Sequence, residues 1–274
     1  MQLIKGDNNI HTLLRMYEAV RNGNRSYPRG NVCMNVHNMA VEFDMNQPLF
    51  TSFKARNFNL QYAKKEWLWY LGADAMDSSI EQYATMWKKL QQKDGSYYSN
   101  YGQYIFGPTT DLTNQTQFEY VINTLVNDPD SRRASMSLLQ PYHLFESNSD
   151  VVCTYAINFT IEDCRLDMTV MMRSNDVIYG FTNDSFCFSQ LYLLVFKTLE
   201  NKYSWLLKGT YTHFTNSMHV YDRHFDMINN IIADGYAGYI DVETPVDPTY
   251  RECSVLVLSK GDVGYGPYTA WLKA

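Results

Sequence analysis

The spacing of apolar and polar residues along the chain predicts both helices and strands. Apolar residues at Ile10, Leu13, Leu14 and Tyr17 have the spacing of one face of a helix, which predicts a helix in this segment. Almost continuous apolar content over helical length predicts buried helices at 60–76 and 186–201. Further helices are predicted at 80–95, 116–127 and 225–235.

Strict alternation of apolar and polar positions predicts strands at 31–45 and 217–225, and a β-hairpin at 151–176 with the polar turn EDCR. In the first strand of the hairpin this alternation places five side chains on one face, namely Cys153, Tyr155, Ile157, Phe159 and Ile161. Helices and mostly antiparallel strands, unevenly mixed, indicate an α+β fold. No linker or repeat divides the chain, so residues 1–274 are expected to form a single domain.

Composition narrows the class of protein. The 274 residues are 45% hydrophobic and 19% charged, which predicts a large buried core. A formal net charge of −6 excludes an overall basic surface for a nucleic-acid polymer. Five widely spaced cysteines without a CxxC pair indicate free thiols in a reducing, cytoplasmic compartment. No apolar run is long enough to span a membrane, and His219 and His224 lack zinc-ligand spacing, so no metal is expected.

Several residues carry candidate chemistry. Cys153 is either an inert small hydrophobe or a nucleophile, and the hairpin can fold Arg173 back beside it, which would lower the thiol pKa. Glu66, within an apolar helix, either reaches solvent or is held in a pocket. The paired Arg132 and Arg133 are either solvated or grip a phosphate.

Two further segments add candidates for binding. His219 and Tyr221 lie two residues apart on a predicted strand, so their side chains share one face. The stretch GSYYSNYGQ is rich in glycine, serine and asparagine and can present Tyr101 from a turn.

Taken in order, these motifs resemble the thymidylate synthase family, and within it most of all the deoxycytidylate hydroxymethylases of bacteriophages. The resemblance covers roughly residues 10–235 and rests on the motifs EWLWYL, TMWKKL, SNYGQ, DPDSRR, MRSNDVIYGF and SMHVYDRHF. It implies a mixed β-sheet packed with helices, with one face of the sheet forming a homodimer interface. Beyond about residue 240 no motif matches, so the role of the C-terminal tail stays open.

The resemblance also implies a role for each matched residue. The catalytic set is Cys153 as nucleophile with Glu66, Tyr101 and Asp184. The substrate phosphate is bound by Arg25 (or, alternatively, Arg29), Arg173, Ser174 and, from the partner subunit, Arg132 and Arg133. The base and sugar are bound by Asp184, His219 and Tyr221, and the folate by Asp176, Trp87 and Glu66.

Three departures from the family pattern refine this interpretation. Thr154 replaces the histidine that usually follows the nucleophile, and Leu90 replaces a second tryptophan. Asp184 replaces the asparagine that recognises uracil. Cytosine has an acceptor at N3 and donors at N4. A carboxylic acid complements both, as does a carboxylate facing an N3-protonated ring.

The implied function is dCMP hydroxymethylase. A one-carbon unit passes from 5,10-methylenetetrahydrofolate to C5 of dCMP through a Cys153–C6 adduct, and water capture gives 5-hydroxymethyl-dCMP and tetrahydrofolate. The alternatives are a dCMP methyltransferase that releases dihydrofolate, a CMP hydroxymethylase, and a catalytically silent nucleotide- or RNA-binding homologue. The presence of Cys153, Glu66 and Tyr101 argues against the last, because binding alone requires none of them.

Overall fold

The computed structural model describes residues 1–47, 51–108, 114–145, 148–241 and 247–274. The strands are β1 (Gln2–Ile4), β2 (Asn24–Ser26), β3 (Cys33–Asp44), β4 (Thr51–Phe53), β5 (Ser135–Ser137), β6 (Thr154–Glu162), β7 (Arg165–Met172), β8 (Asn175–Asp176), β9 (Leu207–Tyr221) and β10 (Tyr239–Asp241). The helices are α1 (Asn9–Arg21), α2 (Leu60–Gly72), α3 (Trp87–Leu90), α4 (Gly102–Ile105), α5 (Gln117–Asn127), α6 (Gly180–Glu200), α7 (Phe225–Asp234), α8 (Tyr250–Leu258) and α9 (Gly266–Lys273).

The main sheet is mixed and has the strand order β1-β3-β9-β7-β6-β5. β7 runs parallel to β9, while β3 is antiparallel to β9 and β6 is antiparallel to β7. This pairing brings the starts of β3 and β6 and the ends of β7 and β9 to one edge of the sheet. β8 extends that edge by pairing in parallel with β9.

One face of the sheet is covered by α1 and α6. α6 is buried along most of its length, as its apolar content predicts. At 21 residues it is a core helix, and no helix within the described ranges is long and apolar enough to cross a membrane. On the opposite face, alternate side chains of β9, including Thr212 and Phe214, remain half-buried.

The predicted hairpin is confirmed. β6 and β7 pair from Thr154↔Met172 to Glu162↔Arg165. Asp163 and Cys164 both have positive φ, 48° and 62°, as a two-residue hairpin turn requires.

The face predicted for the first hairpin strand is wrong at its start. A β-bulge interrupts the pairing between Thr154 and Ala156, so Thr154 is buried together with Ile157. Cys153 and Tyr155 therefore do not continue the face of Ile157. A bulge adds one residue to one strand and re-aims the neighbouring side chains.

The continuous helix predicted at 80–95 is also wrong. The segment contains a short 3-10 turn at Ser79–Gln82 and the single-turn α3, followed by a turn at Gly95 with φ of 91°. Tertiary contacts override its helical pattern. Trp87 packs edge-on against Trp69 with ring centroids 4.9 Å apart, and its indole N–H donates to the Tyr62 hydroxyl at 3.0 Å.

The C-terminal tail forms part of the core. Tyr268 and Leu272 of α9 are fully buried, and α9 packs against α2. Lys64 of α2 lies 4.4 Å from the centre of the Trp271 ring. α9 covers one side of α2 and α6 packs against it as well, so α2 is largely buried. A polar residue on such a helix can be held in a fixed position.

Candidate active site

A cleft of about 1040 Å³ opens at the sheet edge where β3 and β6 begin and β7 and β9 end. Ten of the predicted site residues line it: Glu66, Trp87, Tyr101, Cys153, Arg173, Ser174, Asp176, Asp184, His219 and Tyr221. The sheet topology thus gathers residues that are far apart in the sequence.

Arg173 lies beside the candidate nucleophile, as the hairpin predicted. Its Nη2 is 3.4 Å from Cys153 Sγ, and its Nε donates to the Val152 carbonyl at 3.0 Å. The expected lowering of the thiol pKa is not the net result, because burial raises the pKa of Cys153 to about 11. Arg173 and Arg29 oppose this rise, since their positive charges favour the thiolate.

Glu66 is held in a pocket and does not reach solvent. Only 4% of its surface is exposed, and Oε1 accepts a hydrogen bond from the Tyr70 hydroxyl at 3.2 Å. Burial raises the pKa of Glu66 to about 7, so it can both hold and release a proton near neutral pH. Its Oε2 is buried with no hydrogen-bond partner in the described part of the chain.

Asp184 lies in the first turns of α6 and lines the cleft. Burial, together with the nearby charge of Glu66, raises the pKa of Asp184 well above its ordinary value. Its Oδ2 accepts a hydrogen bond from Asn175 Nδ2 at 3.1 Å. The site therefore favours a neutral carboxylic acid at residue 184.

Tyr101 lies immediately before α4 and stacks on Phe188, with ring centroids 5.9 Å apart. Burial raises the pKa of its hydroxyl well above the ordinary value, and the hydroxyl lies beside Thr154. Tyr101 therefore stays protonated and can donate a hydrogen bond into the cleft.

The sugar and folate candidates lie around β8 and β9. His219 and Tyr221 share the face of β9, as predicted, with ring centroids 4.9 Å apart. Asp176 accepts a hydrogen bond from the Ile178 backbone N–H at 3.0 Å, which holds its side chain. Trp87 offers an aromatic wall to the same cleft.

Not all of the arginines predicted to bind the substrate phosphate line the cleft. Arg29 lines the cleft, whereas Arg25 is not among the described residues that do; it is exposed and packs against the Tyr27 ring at 5.7 Å. Arg29 adopts φ of 50°, a conformation uncommon outside glycine that often marks functional segments. Arg132 and Arg133 are exposed and likewise do not belong to the described lining of their own cleft.

Sequence reasoning missed several polar residues of the cleft, among them Asn175, Asn35 and Asp150. Asn175 contacts Asp184, Asn35 accepts a hydrogen bond from the Ser217 hydroxyl at 3.0 Å, and Asp150 accepts one from Ser99. Asn175 stands within the motif MRSNDVIYGF, but no local pattern distinguishes it from a loop asparagine.

Comparison with known proteins agrees with this geometry. Residues 12–239 match the family model of thymidylate synthase. The chain is 30% identical over 186 residues to the deoxycytidylate 5-hydroxymethyltransferase of Enterobacteria phage T4, covering 63% of this chain and 71% of that protein. It is 30% identical over 162 residues to the thymidylate synthase of Fusobacterium nucleatum, covering 59% and 56%. It is 25% identical over 247 residues to the deoxyuridylate hydroxymethyltransferase of Bacillus phage SP01, covering 85% and 63%.

The chain belongs to the thymidylate synthase family. Members of this family transfer a one-carbon unit from methylenetetrahydrofolate to a nucleotide monophosphate. The names of these relatives indicate different pyrimidine bases and different products. The base and the product of this chain therefore depend on its own cleft residues.

Proposed function

We propose that this chain is a dCMP hydroxymethylase acting in the cytoplasm. The observation that carries the proposal is Asp184, a desolvated carboxyl group in the cleft whose pKa is raised well above the ordinary value. A neutral carboxylic acid offers one donor and one acceptor side by side. With its proton facing N3, that pair complements the N3 acceptor and N4 donor of cytosine.

Cys153 is the proposed nucleophile. Its thiolate adds to C6 of the pyrimidine, and the electrons of the C5–C6 double bond move to C5, which can then attack a one-carbon unit. A hydrogen bond from Asp184 to N3 draws electron density from C6 and so assists this addition. Arg173, 3.4 Å from the sulfur, stabilises the thiolate as it forms. Loss of the C5 proton, with departure of tetrahydrofolate, leaves a methylene group on C5. Water adds to that carbon, and expulsion of the Cys153 thiolate from C6 completes the substitution.

Separate groups of residues are proposed to bind the substrate phosphate and to transfer protons. Arg173, Ser174 and Arg29 form the proposed phosphate site of the same subunit, with Arg29 preferred to Arg25 because it lines the cleft. Glu66, with a pKa of about 7, is the proposed acid–base group, and Tyr101 is a proposed hydrogen-bond donor in the same cleft.

The cleft fits the folate co-substrate. Its volume of about 1040 Å³ exceeds what a nucleotide requires. Trp87 would stack against an aromatic ring, and Asp176 would accept from pterin N–H donors. When bound, methylenetetrahydrofolate supplies the one-carbon unit.

An unsatisfied polar atom in the cleft supports hydroxymethylation rather than methylation. Glu66 Oε2 is buried without a hydrogen-bond partner among the described residues, and Glu66 lines the cleft. Such a group costs about 1–3 kcal/mol when unsatisfied, so it favours an ordered water. Leu90 lines the same cleft and offers no hydrogen bond that would compete for this water. A water held there can attack the methylene carbon on C5.

Tritium release tests the reaction. Purified protein with methylenetetrahydrofolate and dCMP tritiated at C5 is expected to free the label, because only chemistry at C5 does so. The product mass should exceed dCMP by one CH2O unit. A gain of one CH2 unit indicates the methyltransferase instead, and faster turnover of dUMP or CMP contradicts the choice of substrate. Cys153→Ala, which removes the nucleophile, is the matched inactive control.

We further propose a homodimer in which Arg132 and Arg133 reach the partner's phosphate site. Their exposure away from their own cleft and the half-buried outer face of the sheet support this arrangement. Mixing inactive Arg132→Ala with inactive Cys153→Ala, after partial unfolding and refolding, should restore about a quarter of the wild-type activity by random assortment. No recovery would contradict sharing of the site between subunits.

A further inference from the structure

A neutral carboxyl group at residue 184 does not by itself select cytosine. With its proton on one oxygen it complements the N3 acceptor and N4 donor of cytosine. With the proton on the other oxygen it complements the N3–H donor and O4 acceptor of uracil equally well. Rejection of uracil, which the proposed function requires, therefore depends on which oxygen of Asp184 carries the proton.

Asn175 forms its hydrogen bond with one particular oxygen of the Asp184 carboxyl group, Oδ2. Its Nδ2 lies 3.1 Å from Asp184 Oδ2 and 3.2 Å from Met172 Sδ. A thioether sulfur has no hydrogen to give, so the atom that faces Met172 is the amide nitrogen and not the amide oxygen. Asn175 is accordingly a donor toward Asp184.

His213 contacts the same amide nitrogen. Nε2 of His213 lies 3.1 Å from Asn175 Nδ2, and its Nδ1 lies 2.7 Å from the Tyr211 hydroxyl. Burial lowers the pKa of His213 to about 3, so the ring is neutral and one of its nitrogens is an acceptor. Nε2 accepts from Asn175, which places the ring proton on Nδ1, where it donates to Tyr211.

Gly180 leaves the space that this arrangement needs. A Cβ at that position would stand 2.3 Å from Asn175 Oδ1, closer than any real contact. The carboxamide of Asn175, itself only 4% exposed, is therefore enclosed by α6, β7 and β9.

We propose that Asn175 is a positioning residue that confines the proton of Asp184 to Oδ1, and that this confinement is what excludes uracil. The carbonyl oxygen of a carboxylic acid is a better hydrogen-bond acceptor than its hydroxyl oxygen, so the N–H donor at Oδ2 favours the form in which Oδ2 carries no proton. The donor and acceptor of residue 184 then have a fixed order. For a base held by its phosphate and by Cys153 with N3 toward Oδ1, that order matches cytosine and mismatches uracil.

Nucleotide binding tests the inference without depending on turnover. Dissociation constants for dCMP and dUMP are measured by calorimetry for the wild type and for Asn175→Leu, which keeps the shape and removes the donor. The preference for dCMP over dUMP is expected to fall about tenfold, because losing one hydrogen bond changes one binding constant by about 1–1.5 kcal/mol. The change should come mainly from tighter dUMP binding.

Asn35→Leu is the matched control, because Asn35 is a buried asparagine of the same cleft that contacts Ser217 and His37. It should weaken both nucleotides alike. If Asn175→Leu shows no cooperative thermal transition, Asn175→Ala replaces it. The double variant Asn175→Leu with Asp184→Asn should prefer dUMP more strongly than Asp184→Asn alone, since its amide is free to turn.

The outcomes distinguish failure of proton confinement from failure of the proposed hydroxymethylase activity. An unchanged dCMP preference in Asn175→Leu, or a parallel loss of both affinities, overturns proton confinement and favours a charged Asp184 facing an N3-protonated ring. A wild type that binds dCMP selectively but releases no tritium overturns the hydroxymethylase and leaves confinement to be decided by the affinity ratio. A wild type that binds neither nucleotide overturns both.

Discussion

Replacing Glu66 by glutamine should stabilise the protein at alkaline pH and hardly at all at acidic pH. Burial raises the pKa of Glu66 from 4.5 to about 7. The folded state therefore keeps this proton to a higher pH than the unfolded state, and stability falls as pH rises between these two values. At about 1.4 kcal/mol per tenfold change, the full loss is about 3 kcal/mol above pH 7.

The assay is urea unfolding of the wild type and Glu66→Gln at pH 5 and pH 8. Glutamine carries no charge at either pH, so its stability relative to the wild type should rise by about 2.5 kcal/mol between them. Turnover should fall at both values because the acid–base group is lost. Glu18→Gln, at an exposed site on α1, should change stability by less than about 0.5 kcal/mol at either pH.

A stability difference that stays constant with pH would refute the claim that Glu66 is desolvated. A difference that shrinks toward pH 8 would show that the carboxylate is stabilised by partners in the fold, the opposite electrostatic environment.

Three further outcomes follow from the site and the core. Arg29→Ala should weaken dCMP binding about tenfold or more by calorimetry, whereas Arg25→Ala should change it less than about twofold, and equal effects would contradict the phosphate assignment. Alkylation of Cys153 by iodoacetamide, followed by peptide mass spectrometry, should accelerate about tenfold per pH unit and level off only near its pKa of about 11; a plateau near pH 8.5 would argue against burial as the cause. Leu272→Ala should destabilise the chain by about 2–5 kcal/mol in urea, since Leu272 is 0% exposed, while Leu258→Ala, at 81% exposure, should cost less than about 0.5 kcal/mol; similar losses would contradict the docking of α9 in the core.

Local patterns predicted the elements whose own residues decide their structure. The apolar run that became α6 and the alternation that became β3 are long and strongly periodic, so no distant contact needs to override them. The hairpin turn at Asp163 and Cys164 is equally local. These elements also determine the spacing that brings Arg173 to Cys153.

Only the tertiary structure decided the features that depend on distant partners. Residues 80–95 abandon a helical pattern because Trp87 is drawn against Trp69 and Tyr62, which lie on another helix. Arg29, rather than Arg25, lines the cleft because of a backbone turn that spacing does not reveal.

The electrostatics of the site have the same origin. Sequence motifs identified Asp184, Glu66 and Cys153, but their pKa values depend on how far the fold removes each group from water. Asn175 acquires its proposed role only because β8 and β9 place it between His213 and Asp184. The sequence by itself thus identified most of the residues that line the cleft. Their burial and the positions of their protons are decided only by the tertiary structure, because both depend on neighbours that lie far away in sequence.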